Sequence, residues 1–195
     1  VVLKVPIFEK KGFEADDIVG TIAKKINSKK NWKSIILTGD RDLLQLINNK
    51  TSVYLLRSGI KDSIVYDVLK FKNDYHGLMP QQLIELNALK GDASDNIPGV
   101  SGIGPKTAVS LISQFKTIDN VYKNINNLKA KDKLIKGKDS AFLSRELVKI
   151  KDNVSLSFDI KSCLWQGYDN AESFFEEMEF SALLKRIKKE HQKLF

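Results

Sequence analysis

Ser34-Ile35-Ile36-Leu37-Thr38-Gly39-Asp40-Arg41-Asp42 is the stretch on which the fold turns. A short, continuous apolar run that stops at a glycine predicts a strand over 34–38 covered on both faces, and such a strand implies α/β layering. Upstream, Ile18, Val19, Ile22, Ala23 and Ile26 recur at helical spacing, so 15–27 is expected to be an amphipathic helix with an acidic start. Downstream, helical spacing resumes over 42–47, strands are expected at 52–56 and 63–66, and a helix capped by Asp67 at 67–73. From Pro80 onward strand signals nearly vanish. Helices are expected at 80–90, 104–115 and 117–126, then a lysine-rich connector at 129–138, a helix at 139–150, an extended piece at 155–158, and helices near 170–178 and 181–190. The chain therefore divides into an α/β part with a parallel sheet flanked by helices, residues 1–79, and a mainly helical part, residues 80–195.

Composition excludes several classes. With 195 residues the chain is one large domain, or one with a small appendage, and can bury a core without crosslinks. Cys163 has no second cysteine to pair with, and His76 and His191 are too few to complete a zinc cage, which points to a reducing compartment. No apolar run approaches the roughly 20 residues needed to cross a bilayer, and Lys4, Glu9, Lys10 and Lys11 interrupt the start where a signal peptide needs an apolar block. The expectation is a soluble intracellular protein. Its net charge of +8 comes almost wholly from lysine, since only Arg41, Arg57, Arg145 and Arg186 are arginine. A polyanion partner and a plain solvated lysine surface explain that charge equally well.

Three acidic clusters carry the chemical signal. In the first, Glu14, Asp16 and Asp17 crowd a helix start; capping and the helix dipole explain one or two of them, but a third favours a cation, because like charges this close repel. The second, Asp40 and Asp42, follows the strand at Gly39, where open α/β sheets collect ligands; a turn and a helix cap would account for the pair as well. Asp92 and Asp95 form the third, in a stretch whose Asp, Asn, Pro and Gly are also ordinary turn residues. Taken jointly, seven carboxylates with no histidine or thiol among them are what a hard cation such as Mg²⁺ or Mn²⁺ requires. Setting those acids aside leaves the rest of the chain far more basic than its net charge indicates.

Gly99-Val100-Ser101-Gly102-Ile103-Gly104-Pro105-Lys106-Thr107 follows at once. Glycines at near-alternate positions let backbone amides approach an anion, Pro105 presets a helix start, and Lys106 adds charge at its positive end. The pattern reads as a grip on phosphate backbone that ignores base sequence, and it is not a P-loop.

These residues resemble the 5′ nucleases of the flap endonuclease type, most nearly the 5′–3′ exonuclease domain of bacterial DNA polymerase I and its stand-alone relatives. The resemblance rests on Gly12 to Gly20, Thr38 to Leu46 and Leu89 to Ala108, and extends to Leu143 to Leu147 and Met178 to Leu184. It implies a PIN-like α/β core continuing into a helix–three-turn–helix at about 88–116. It implies further that Glu14, Asp16, Asp17, Asp40, Asp42, Asp92 and Asp95 line a catalytic divalent-metal site, two metals in the complete domain. Gly99, Val100, Gly102, Ile103, Gly104, Lys106 and Thr107 would contact DNA, with K⁺ at the hairpin carbonyls. The implied reaction is hydrolysis of DNA phosphodiesters near 5′ ends, at flaps, nicks or frayed duplexes, in replication and repair. A monomer in the bacterial nucleoid, or in a DNA-containing organelle, with a polymerase domain or partner and no membrane association, completes the expectation.

Members of that family begin with a strand and an aspartate, carry a second aspartate after a later strand, and then a basic arch. This chain opens just before the Glu14 helix, so it is expected to be the carboxyl-side part of the domain. Two alternatives stand beside the nuclease: a non-catalytic module that binds duplex DNA, and a metal-dependent phosphohydrolase of small substrates. Against the last, Leu43 and Leu44 stand where such enzymes usually want a hydroxyl.

Overall fold

In the computed structural model, residues 5–59, 61–165 and 171–191 are described. Helix α1 (Ala15–Asn27) and strand β1 (Ser34–Thr38) form over the expected residues. Strand β2 (Thr51–Leu56) pairs in parallel with β1, placing Val53 opposite Ile36. Strand β3 (Ser63–Tyr66) then pairs antiparallel with β2, Tyr66 opposite Val53. The sheet order is β1-β2-β3, so the parallel arrangement holds for the first two strands and the third makes the sheet mixed. The link between β2 and β3 is a short turn closed by Arg57 N–H on the Asp62 carbonyl, too short for the crossover a parallel partner requires.

One expectation about β1 fails. Ser34 and Ile36 are buried, but Ile35 and Leu37 are 75% and 64% exposed. The apolar run therefore alternates like a strand with one covered face, because among the described residues no layer packs over the face that carries Ile35 and Leu37.

After β1 the chain makes a 3₁₀ turn, Asp42–Leu46, whose Leu43 and Leu44 enter the core. Helix α2 (Val68–Asp74) is capped as expected, Asp67 accepting the Lys70 N–H at 2.7 Å. Helix α3 (Gln82–Lys90) starts two residues later than Pro80, which sits in the turn ahead of it. Helices α4 (Pro105–Phe115) and α5 (Ile118–Lys123) follow. The lysine-rich stretch read as a connector is itself a helix, α6 (Lys131–Lys136), joined through Gly137 to α7 (Lys138–Val148). Leu134, fully buried, anchors α6; a single buried apolar side chain in six residues leaves no periodicity to read.

One core runs from the sheet into the helices through Leu44, Val53, Phe71, Leu89, Ile112, Ile118 and Leu134. Each such side chain contributes roughly 2 kcal/mol by leaving water, so residues on either side of position 79 stabilise one another. At its centre α3 packs on α4, on α7 and on the 3₁₀ turn, which brings the ends of all three acidic segments to one side.

Residues 11–155 form this unit. Residues 5–10, 156–165 and 171–191 belong to a second, in which α8 (Glu172–Glu177) and α9 (Ser181–His191) bury Ala171, Phe175 and Ile187. Phe8 there meets Phe158 edge-on at 5.6 Å. No strand forms at 155–158, and Asn170, the expected start of α8, lies outside the described residues. Among the described residues no helix is long and apolar enough to cross a membrane.

Candidate functional site

Glu14 takes the N-cap position of α1 without a side-chain capping bond, and Asp16 and Asp17 follow in its first turn. Capping thus accounts for none of the three side chains by the usual bond. Asp17 instead accepts the backbone N–H of Lys151 at 2.8 Å, which tethers the segment after α7 alongside α1. Gly20 permits that approach, since a Cβ there would lie 2.8 Å from a methyl of Ile150.

Beyond β1, Thr38 Oγ1 accepts the Asp40 N–H at 2.9 Å and Asp40 Oδ1 accepts the Asp42 N–H at 2.8 Å. The turn-closing role considered for Asp40 is real, and it aims the chain so that Asp42 meets α3. There Asn87, 3% exposed, donates to Asp42 Oδ1 at 3.1 Å. In the third segment Ser94 N–H and hydroxyl both donate to Asp92 Oδ1, and Lys90 Nζ lies 3.8 Å from Asp92 Oδ2. Asp17, Asp40 and Asp42 each commit one oxygen to a protein donor. The second oxygen of each has no hydrogen-bond partner among the described residues.

These segments converge. Glu14, Asp16, Asp17, Asp40, Asp42 and Asp95 line one cleft of about 360 Å³, together with Ile97 and Leu147 to Ile150. Asp92 lies outside it, in an adjoining hollow of about 430 Å³ that shares Asp40, Asp42 and Asp95. The electrostatics follow from this crowding. Burial first, and then Asp40, Glu14, Asp17 and Asp95, push the Asp16 carboxyl above its ordinary value. Burial and the charges of Asp40, Asp92 and Asp95 push Asp42 up to about 6, with Lys90 opposing. Asp16 therefore feels acids of both other segments, and Asp42 feels those of the third.

An all-oxygen donor set, in which burial and neighbouring charge raise the Asp16 and Asp42 carboxyls, fits a divalent hard cation. Among the described residues no three acidic, histidine or cysteine side chains are placed so that they could hold an ion by themselves. A cation bound there would have to keep several of its waters and take one or two carboxylates, as Mg²⁺ can.

The glycine-rich stretch begins where α3 stops. Gly91 ends the helix at φ 73° and Gly99 returns at φ 60°, and the two backbones touch: a Cβ on Gly99 would lie 2.3 Å from Gly91 N. The Asp92–Ile97 bridge and the Val100 N–H to Leu89 carbonyl bond, 2.8 Å, close the loop. Val100 and Ile103, both 3% exposed, are anchors whose side chains face the core, not solvent. Gly99 is buried, with its N–H on Ser144 Oγ at 3.0 Å and its carbonyl accepting from Ser140 Oγ at 2.6 Å, so its amide is not open to an anion. Gly102, Gly104, Lys106 and Thr107 remain exposed. Gly104 caps α4 without a side-chain bond, which leaves the first-turn amides directed outward beside Lys106.

Asn87, Ser140, Ser144 and Lys151 escape a sequence reading. The i, i+4 serines share a helix face, a faint signal; Asn87 and the Lys151 backbone act across 45 and 134 residues and leave none.

Comparison with known proteins agrees with this geometry. Residues 2–76 match the family model of the 5′-3′ exonuclease N-terminal resolvase-like domain, and residues 78–171 that of the 5′-3′ exonuclease C-terminal SAM fold. DNA polymerase I of Bacillus subtilis is 37% identical over 185 residues, covering 92% of this chain and 21% of that protein. A 5′-3′ exonuclease of Mycoplasma genitalium is 41% identical over 156 residues, covering 79% of this chain and 53% of its own. The chain thus spans about a fifth of the polymerases and about half of the shorter exonuclease. Among solved structures, T5 5′-exonuclease with bound divalent metal ions (zinc) superposes with a TM-score of 0.64 at 27% identity, over 75% of this chain and 53% of that one. A bacteriophage T5 flap endonuclease complex with DNA and metal ions shares the fold, with a TM-score of 0.62 at 23% identity, over 87% and 60%.

Proposed function

The chain belongs to the 5′-3′ exonuclease family, and from that premise we propose that it serves in divalent-metal-dependent hydrolysis of DNA phosphodiesters near 5′ ends, at flaps and nicks. The observation that carries this reading is the mutual charge of Asp16, Asp40, Asp42 and Asp95, drawn from three separate segments into one cleft beside an exposed glycine hairpin. Mg²⁺ or Mn²⁺ is the proposed ion; bound there, it supplies positive charge to the attacking and leaving oxygens of the phosphodiester. Asp40 and Asp42 are the carboxylates best placed to hold it, because the Asp40–Asp42 turn and Asn87 fix their orientation. Gly102 and Gly104, with Lys106 and Thr107, hold the duplex through its phosphates, and the hairpin carbonyls other than that of Gly102 are offered to K⁺. A polymerase domain as partner, a monomeric state and a place in the nucleoid belong to the same proposal.

A second reading, duplex binding without hydrolysis, is favoured by the spacing of the carboxylates, which by themselves form no ion-holding group among the described residues. The small-substrate phosphohydrolase loses ground: Leu43 and Leu44, where it needs a hydroxyl, are buried core side chains. The deciding experiment incubates the chain with Mg²⁺ or Mn²⁺ and an end-labelled 5′-flap duplex, beside the Asp40→Asn/Asp42→Asn variant. Metal-dependent cleavage by the parent alone, with equal duplex binding by both, is expected. Binding without cleavage by either moves the conclusion to the second reading, and cleavage that survives the double substitution refutes the site.

A further inference from the structure

Helix α6 lies beside the hairpin in a way the glycine motif does not announce. Lys133 Nζ donates to the Gly102 carbonyl at 3.0 Å. The Lys133 stem lies flat over Gly102, Cε and Cδ standing 3.1 and 3.2 Å from where a Cβ of that glycine would be. The support beneath is close-fitting as well: a Cβ on Gly137 would come within 2.7 Å of Val100 Cγ1, and Leu134 is fully buried. Together with Ser140 and Ser144, which hold both polar groups of Gly99, Lys133 gives the segment 133–144 three points of attachment on the hairpin backbone.

We propose that Lys133 is a positioning residue of the duplex grip, its ammonium acting as a fixed cation that pins the Gly102 carbonyl and so sets the hairpin's exposed amides. The proposal rests on the phosphate-grip reading of the hairpin. Its physical basis is the peptide plane between Gly102 and Ile103. At one end the carbonyl is held by Lys133; at the other the Ile103 N–H bonds to the Val100 carbonyl at 2.9 Å. Gly102 sits at φ 79°, in a region where a glycine can rotate at little cost, so without the ammonium this peptide is fastened at one end only. The amides of Gly102 and Gly104 flank that plane, and their direction follows from it. A charge-assisted bond suits the task better than a neutral one because it stays strong in the exposed position Lys133 occupies.

The test compares the parent chain with Lys133→Met, which keeps the stem and removes the ammonium, and Lys133→Arg, which keeps a cation. Two quantities are read: amide hydrogen exchange over residues 99–104 in the free protein, and affinity for a labelled duplex as a function of salt. Lys133→Met should speed exchange at the hairpin and weaken duplex binding, each about fivefold, the size of one exposed charge-assisted hydrogen bond, with an unchanged salt slope. Lys133→Arg should restore most of both. Unchanged exchange and affinity in Lys133→Met would overturn the proposal. So would a salt slope shallower by about one unit, because that makes Lys133 a direct phosphate contact. A parent chain that binds no duplex would refute the grip reading itself, while the exchange comparison would still decide whether Lys133 positions the loop.

Discussion

Replacing Gly99 by alanine tests the contact on which both functional features hang. The new methyl carbon would meet Gly91 N at 2.3 Å, Gly91 Cα at 2.7 Å and the Lys90 carbonyl carbon at 2.7 Å, all backbone atoms that no rotamer change can move. Ordinary contact needs about an ångström more, so the crossover between the end of α3 and the hairpin must open. Two contributions add. An L side chain in the left-handed region costs about 1–2 kcal/mol, and overpacking against a fixed neighbour about 1–3 kcal/mol. Gly77 isolates the first: its φ is 83°, yet a Cβ there would meet nothing within 4 Å. Gly77→Ala should therefore lower the melting temperature by about 3–6 °C, and Gly99→Ala by about 10 °C, at the roughly 2–4 °C per kcal/mol of a chain this size. Calorimetry on both variants, with duplex titrations at a temperature where both stay folded, reads the outcome. Gly99→Ala should also lose duplex affinity that Gly77→Ala keeps. Equal melting losses in the two variants would refute the steric argument, and an unaltered duplex affinity in Gly99→Ala would refute the link between crossover and grip.

Two further outcomes follow from the site's chemistry. Asp42, lifted from 3.8 to about 6 by burial and neighbouring carboxylates, holds its proton more tightly folded than unfolded, so ionising it destabilises the fold. Without added metal, stability should rise as pH falls through 6 towards 3.8, an increment that Asp42→Asn removes; added Mg²⁺ should stabilise the parent at pH 7 and progressively less below 6. A denaturation series showing the opposite slope in the parent relative to Asp42→Asn would exclude the crowding described. Ser144→Ala, at a fully buried hydroxyl, strands the Gly99 N–H and should cost about 1–2 kcal/mol by urea unfolding, whereas Ser140→Ala, partly open to water, should cost less than 1; equal losses would show that the two serines do not differ as their burial implies.

What could be read in the sequence were features whose physics is local. The helix from Ala15, the strand ending at Gly39 and the helix from Pro105 announce themselves through periodicity, a glycine stop and a proline start, and each forms where expected. The acids could be grouped from sequence by their shared chemistry; six of the seven line one cleft, and Asp92 lies in the adjoining hollow. What stayed hidden depends on partners distant along the chain. Whether Ile35 and Leu37 are covered depends on neighbours of β1 that its own five residues do not encode. The direction of β3 follows from a turn whose length is visible but whose pairing partner is not. Asn87, placed on α3 by ordinary helical residues, becomes part of the site only once the 3₁₀ turn packs on that helix. Val100 and Ile103 are expected among the DNA-contacting residues, whereas both side chains are buried in the core, which a glycine-rich stretch does not announce.

The acidic cleft and the basic hairpin are thus parts of one device. Residues 92–98 carry Asp92 and Asp95 on the cleft side, and the same loop ends in the Gly91–Gly99 contact from which the hairpin departs. Helix α3 delivers Asn87 to Asp42 and, two residues on, accepts the Val100 N–H at the Leu89 carbonyl. No flexible linker separates the two, so in the function proposed a duplex phosphate held at Gly102 and Gly104 would lie at a set displacement from Asp40 and Asp42. A grip on backbone phosphate carries no sequence information, but a grip at a set displacement does carry positional information. In the function proposed, the bond cut is then chosen by its distance from the held duplex and not by the bases around it. Such selection is what cutting at the junction of single and double strands demands, and it requires the crossover at Gly91 and Gly99 to be rigid.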